Sequence, residues 1–200
     1  MAKSEIKTGM KTSTKVWIGV GVVVLLLVLW LIAGYNNFVG LDQNVQKSWS
    51  EVENQYQRQA DLIPNLVSVV GSAVKVETNF VKDVTAARTA YASATSQLAK
   101  DTAGQQMSNG ITALVNAVSE NYPVLQANKQ YVALTDELSG TQNRITTARG
   151  RYIESIQSMN TAVKRFPSNI IAGMFGFKTV EYYTAANGTN TPQLGSGVLP

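Results

Sequence analysis

Seven polar side chains, Arg58, Asp61, Asn65, Glu77, Arg88, Arg144 and Arg149, fall where helices of this chain can bring them together. Their types permit interhelical ion pairs, a helix cap at Asp61, or proton transfer by a carboxylate. Catalysis would need a nucleophile beside a base and an oxyanion donor, and nothing in the spacing selects such a set. The seven are therefore read as structural, holding helices in register. With no cysteine and no histidine in 200 residues, thiolate nucleophiles, disulfides, Cys/His zinc sites and imidazole chemistry are all excluded. No enzymatic activity, cofactor or metal is expected. The net charge is only +4, and no basic stripe interleaved with aromatics appears, so nucleic acid is not an expected partner.

The elements that position these residues begin with a membrane segment. No charged side chain occurs from Val16 to Leu41. Val16–Ala33 holds thirteen Val, Leu or Ile residues, which favour insertion by about 4–8 kcal/mol in sum. About twenty residues cross a hydrocarbon layer of about 30 Å. Leu25 and Leu29 belong to the spanning core, and Trp17, Trp30 and Tyr35 mark its two ends. A cleaved signal peptide is the rival reading, but the run is too long and Leu31-Ile32-Ala33 is a poor cleavage match. Residues 16–34 are therefore read as a permanent anchor, preceded by a basic cytoplasmic segment, 1–15. Lys3, Lys7, Lys11 and Lys15 precede the anchor, whereas only Lys47 follows closely. This asymmetry places the N-terminus in the cytoplasm and the remaining domain outside the cytoplasmic membrane.

Residues 35–183 read as one all-α domain, an antiparallel long-helix bundle of four-helix type. Phe38, Leu41, Val45, Trp49, Val52, Tyr56 and Ile63 recur at helical spacing, so the anchor can run into the first bundle helix, with Gly34 and Gly40 as the expected bends. Asp61-Leu62-Ile63-Pro64 suggests that a second helix starts there, with Leu66, Val70, Val74, Val81, Val84 and Tyr91 along it. Lys100–Gly104 reads as a polar connection. A shorter helix with Ile111, Leu114, Val115 and Val118 then stops before Tyr122-Pro123. The last helix carries Leu134, Leu138, Thr141, Ile145, Ala148, Tyr152, Ile156, Met159, Val163 and Phe166, begins near Ala127 and ends at Pro167, roughly 60 Å in all. Beyond it, Ile170, Ile171, Met174, Phe175 and Phe177 form an apolar element, which either closes one end of the bundle or docks on a membrane or partner. Residues 184–200 read as a disordered tail, and Asn187-Gly188-Thr189 is an isolated glycosylation-sequon match.

Four strings extend this reading: Tyr35-Asn36-x-Phe38-Val39-x-Leu41-Asp42, Gln57-Arg58-x-x-Asp61-Leu62-Ile63-Pro64-Asn65-Leu66, Tyr122-Pro123-x-Leu125-x-Ala127-Asn128, and Arg165 through Phe177. In these, and in their order over roughly residues 30–183, the chain resembles the LemA family of bacterial membrane proteins. It departs from the family pattern at Gln59, where a second arginine is frequent, at Gln126, where lysine is, and near Gln142, where glutamate is. The resemblance implies a single-pass membrane protein with a long-helix bundle. One branch of the family acts in building magnetosome membranes. Two functional expectations follow: self-association into a homo-oligomer that scaffolds the lipid bilayer, or tethering and regulation of another envelope protein.

Overall fold

The computed structural model describes residues 12–73 and 78–182, and every described element is helical. The helices are α1 (Thr12–Ala73), α2 (Thr78–Ser93), α3 (Gln97–Asn121), α4 (Lys129–Lys164) and α5 (Ser168–Phe175), with a 3₁₀ turn at Pro123–Ala127. Backbone proximity divides the chain into two compact units. Among the described residues, one comprises the chain from Thr12 to Gln43 together with Ser158–Val180, and the other lies between Asn44 and Gln157 and includes Glu181 and Tyr182.

In the larger unit the side-chain pairs fix the topology. The Trp49 ring meets that of Tyr152 at a tilt and Gln59 bonds Gln142, so α1 and α4 run antiparallel. Ala60 pairs with Arg88 and Glu53 with Tyr91, so α2 runs against α1. Tyr56 meets Asp101 and Gln59 meets Ser108, so α3 runs with α1. The result is an up-down-up-down four-helix bundle. Its core is the helical stripe expected from the sequence: Val45, Trp49, Val52, Tyr56 and Ile63 from α1, and Leu138, Ile145, Ala148, Tyr152 and Ile156 from α4, are all buried. Each large apolar side chain so enclosed contributes about 1.5–3 kcal/mol. Phe166 departs from that stripe: it lies beyond α4 and is exposed.

Three boundaries differ from the sequence expectation. No second helix starts at Pro64, which lies inside α1, and Asp61 is not a cap but accepts a bond from Gln57 Nε2 one turn earlier (2.8 Å). Proline lacks the N–H that would satisfy the carbonyl four residues back. That carbonyl belongs to Ala60, and Arg88 Nε donates to it at 3.0 Å. A side chain from α2 thus replaces the missing backbone donor, and the helix continues to Ala73. Arg88→Ala should destabilise the bundle by about 1.5–3 kcal/mol, and much less in a Pro64→Ala background, where the backbone N–H returns. Chemical denaturation of the four-variant cycle checks this; equal losses in both backgrounds would rule out the compensation.

Lys100–Gly104 is not a connection either, since it lies in the first turns of α3. The break comes earlier, at Ala94–Ser96, where the Ser96 hydroxyl accepts from the Ala99 N–H (3.2 Å) and caps α3. Gly34 and Gly40 do not interrupt α1. The last helix starts at Lys129 rather than Ala127, because Asn128 Oδ1 accepts from the N–H groups of Gln130 (2.9 Å) and Tyr131 (3.2 Å). Lys3, Lys7, Lys11, Val74, Glu77, the sequon and the expected tail lie outside the described residues.

In the smaller unit α5 packs on the segment of α1 that follows the apolar run. A Cβ on Gly34 would stand 2.2 Å from Ile171 Cδ1, so glycine admits that side chain. Tyr35 meets the rings of Phe175 (4.9 Å) and Phe177 (5.9 Å), and Phe38 stacks on Phe177 (4.9 Å). Gly176, with φ 78°, ends α5 in the left-handed conformation and turns the chain so that Phe177 reaches Phe38. Beyond it, Asn160 holds the returning segment by two bonds of 2.7 Å, donating to the Val180 carbonyl and accepting from the Val180 N–H.

Candidate functional site

The most concentrated polar structure in the bundle centres on Asp101, which is 2% exposed. Its Oδ1 accepts from the Tyr56 hydroxyl (3.1 Å), and its Oδ2 accepts from Gln105 Nε2 (2.7 Å) and Arg149 Nη2 (3.1 Å). Two turns further along α3, Ser108 donates to Gln59 Oε1 (2.8 Å), and Gln59 Nε2 donates to Gln142 Oε1 (3.1 Å). Lys100 pairs with Glu53, and the Tyr91 hydroxyl bonds the Glu53 carbonyl at 3.2 Å. Together these groups make a polar ladder joining α1, α2, α3 and α4.

Of the seven residues singled out in the sequence, Arg149 alone enters the Asp101 cluster. Arg58 (2.6 Å) and Arg144 (3.7 Å) share Glu137, half-exposed, where an ion pair is worth about 1 kcal/mol or less. Arg88 serves Ala60, Asp61 bonds Gln57, and Asn65 is exposed. Sequence reasoning missed Asp101 because it was read as loop, and missed Glu53, Lys100 and Ser108 because no local spacing marks them. Gln59 and Gln142 are among the positions at which the sequence departs from the charged pattern that the resemblance implies. The two face each other, and a neutral amide pair stands between α1 and α4.

Burial shifts the tyrosines of the ladder. The Tyr56 hydroxyl is pushed well above the usual phenol range, first by burial and then by the Asp101 charge. Tyr91 is pushed up to about 12, first by burial and then by Glu53. Burial also raises Tyr131. An unfolded tyrosine releases its proton near pH 10, whereas these hold theirs. The contribution of Tyr91 to stability is therefore complete below about pH 10 and lost as pH rises through about 12, and those of Tyr56 and Tyr131 are likewise lost on the alkaline side. Unfolding midpoints should fall over that interval while tyrosinate absorbance lags, and Tyr91→Phe should flatten part of the fall. A midpoint independent of pH there would contradict the assignment.

Two open grooves flank the ladder. One of about 420 Å³ is lined by Glu51, Asn54, Gln55, Asn143, Arg144 and Arg151. The other, of about 290 Å³, runs past Gln59, Ser108, Thr112, Leu138 and Gln142. Among the described residues no three acidic side chains gather as a metal site would require.

The residues expected to span a membrane are bare. Val16, Trp17, Leu25, Leu29 and Trp30 are exposed in the chain itself, as is Ala33, and α1 is the one described helix long and apolar enough to cross a membrane. A bare stripe of that size is far beyond what a surface in water carries. Of the apolar C-terminal element, Ile171 is buried and Phe177 packs on α1, whereas Ile170, Met174 and Phe175 present exposed surface.

A bare apolar helix joined to a four-helix bundle defines a membrane-associated helical protein, all-α in class. Residues 48–195 match the LemA family, and the chain belongs to it. It is similar to Magnetosome protein MamQ 2 and Magnetosome protein MamQ 1 of Paramagnetospirillum magneticum, each 27% identical over 88% of this chain and 76% of the relative. It is also 26% identical to Magnetosome protein MamQ of Magnetospirillum gryphiswaldense, over 81% of this chain and 69% of the relative.

Proposed function

We propose that the protein is a non-catalytic, single-pass membrane protein whose anchored bundles self-associate to scaffold or organise the bacterial cytoplasmic membrane. The observation that carries this reading is continuity: one unbroken helix, α1, holds both the bare apolar segment and the bundle's Trp49–Tyr56–Ile63 seam. The fold is thus tied to the bilayer by its own core helix. The polar ladder supports a structural role, because both oxygens of Asp101 are occupied by protein donors, and the rungs that line the smaller groove, Gln59, Ser108 and Gln142, bond one another. The similarity to magnetosome proteins of two bacteria supports work at a membrane.

Electron microscopy of the full-length protein in liposomes at several protein-to-lipid ratios tests the proposal. Regular coats, tubes or rings are expected. Smooth vesicles with dispersed single particles would overturn intrinsic scaffolding, and crosslinking in native membranes would then identify the envelope partner that the tethering reading requires. The proposed orientation has the N-terminus in the cytoplasm and the bundle outside. A membrane-impermeant maleimide should label Val124→Cys, a unique cysteine at a position 83% exposed, in intact spheroplasts. Labelling only after lysis would reverse the orientation.

A further inference from the structure

We propose that α5 is a membrane-contact foot, whose outward side chains Ile170, Met174 and Phe175, with Phe166, sit in the interfacial layer of the bilayer that α1 crosses. This rests on the reading of α1 as an anchor and adds a second contact with lipid. The occupant follows from where α5 is attached. Val16–Ala33 is eighteen residues long, about 27 Å of helix, close to the hydrocarbon thickness of about 30 Å. Tyr35 and Phe38, which hold Phe175 and Phe177, stand about 3–8 Å further along the axis. That distance falls within the headgroup layer, about 5–8 Å deep on each side.

The composition of α5 suits that depth. Ile171 and Ala172 are turned inward, while Ile170 is 47%, Met174 62% and Phe166 75% exposed. An apolar face of this kind, packed beside the end of a spanning helix, meets lipid before it meets water. Lys164, Arg165 and Lys178 flank the element and are exposed, so the surface it contacts is anionic. Each such cation near an acidic lipid surface strengthens the association, and none of the residues from Lys164 to Val180 is acidic.

The chain has no cysteine, so single nitroxide labels can be placed on the full-length protein. Met174→Cys, Leu25→Cys and Val124→Cys are reconstituted into phosphatidylcholine vesicles with and without phosphatidylglycerol. Collision with oxygen is compared with collision with a water-soluble nickel chelate, and far-UV circular dichroism verifies each fold. In the anionic vesicles the ratio of oxygen to nickel accessibility at Met174 should exceed that at Val124 severalfold and approach that at Leu25. It should drop in pure phosphatidylcholine, or when Lys164→Gln, Arg165→Gln and Lys178→Gln are combined. A Met174 reading equal to Val124, with Leu25 in lipid, overturns the foot while leaving the anchor intact. Aqueous readings at both Met174 and Leu25 overturn the anchor and the foot together. Protection of Met174 from both reagents that vanishes on dilution into excess lipid assigns the face to a second copy and overturns the lipid assignment. Equal Met174 ratios in both vesicle types overturn the anionic component.

Discussion

Asp101→Ala should lower the stability of the bundle by about 3 kcal/mol, the largest loss expected from any single polar substitution among the described residues. Three donors converge on this carboxylate from three helices: Tyr56 of α1, Gln105 of α3 itself, and Arg149 of α4. Alanine removes the acceptor and leaves the donors behind. Breaking a buried pair in this way costs about 3–5 kcal/mol, because the remaining charge stays desolvated and uncompensated. The lower end applies here, since the Arg149 side chain keeps 23% of its exposure and can recover some hydration. For a chain of this size the loss corresponds to a fall of about 6–12 °C in thermal midpoint. Asp101→Asn, which keeps an oxygen for Tyr56 or Arg149, should lose less. Circular dichroism melts of the full-length protein in one detergent provide the comparison. If alanine and asparagine cost the same, the hydrogen bonds around Asp101 are not what stabilises the ladder.

Gly104→Ala should destabilise the protein by about 2–3 kcal/mol, although alanine is the better helix former by about 1 kcal/mol. A Cβ there would lie 2.7 Å from three atoms of the Tyr56 ring, inside any normal contact distance. Tyr56 is fully buried and cannot swing aside into solvent. Overpacking of this kind costs about 1–3 kcal/mol, and a displaced ring also weakens the bond from Tyr56 to Asp101. Gly150 supplies the internal control. It is exposed on α4, and nothing lies within 4 Å of its added Cβ. Gly150→Ala should therefore stabilise by up to about 1 kcal/mol. Opposite signs from the same chemical change are the expected result, read from denaturation midpoints. Stabilisation at both positions would mean that the Tyr56 contact is loose.

These two residues also show what the sequence conceals. Periodicity revealed the core seams of α1 and α4, because burial of one helical face imposes a spacing that any reader can count. Val45, Trp49, Val52, Ile145, Tyr152 and Ile156 all lie where that spacing places them. Boundaries were less legible, because glycine and proline are ambiguous without their tertiary partners. Gly104 suggested a loop, but it is a helical position emptied for a tyrosine ring 48 positions earlier in the chain. Pro64 suggested a helix start, but the guanidinium that completes its turn comes from α2. Asp101, the centre of the polar ladder, was hidden by the first of these misreadings. The family strings, by contrast, do encode contacts: Tyr35 and Phe38 of the first string pack on Phe175 and Phe177 of the last.

The Asn160–Val180 pairing makes α5 a closed loop of about twenty residues, held by the covalent chain at one side and by two hydrogen bonds at the other. Closure of a loop this size is entropically modest, so its opening is governed by those bonds and by the few rings packed on α1. The Val180 amide is consequently a single-site reporter of local opening. Its hydrogen exchange measures the free energy of releasing α5 and can be followed while the bundle amides remain protected. Replacing Asn160 by alanine would abolish that protection and turn the segment from a latched element into one that samples open states.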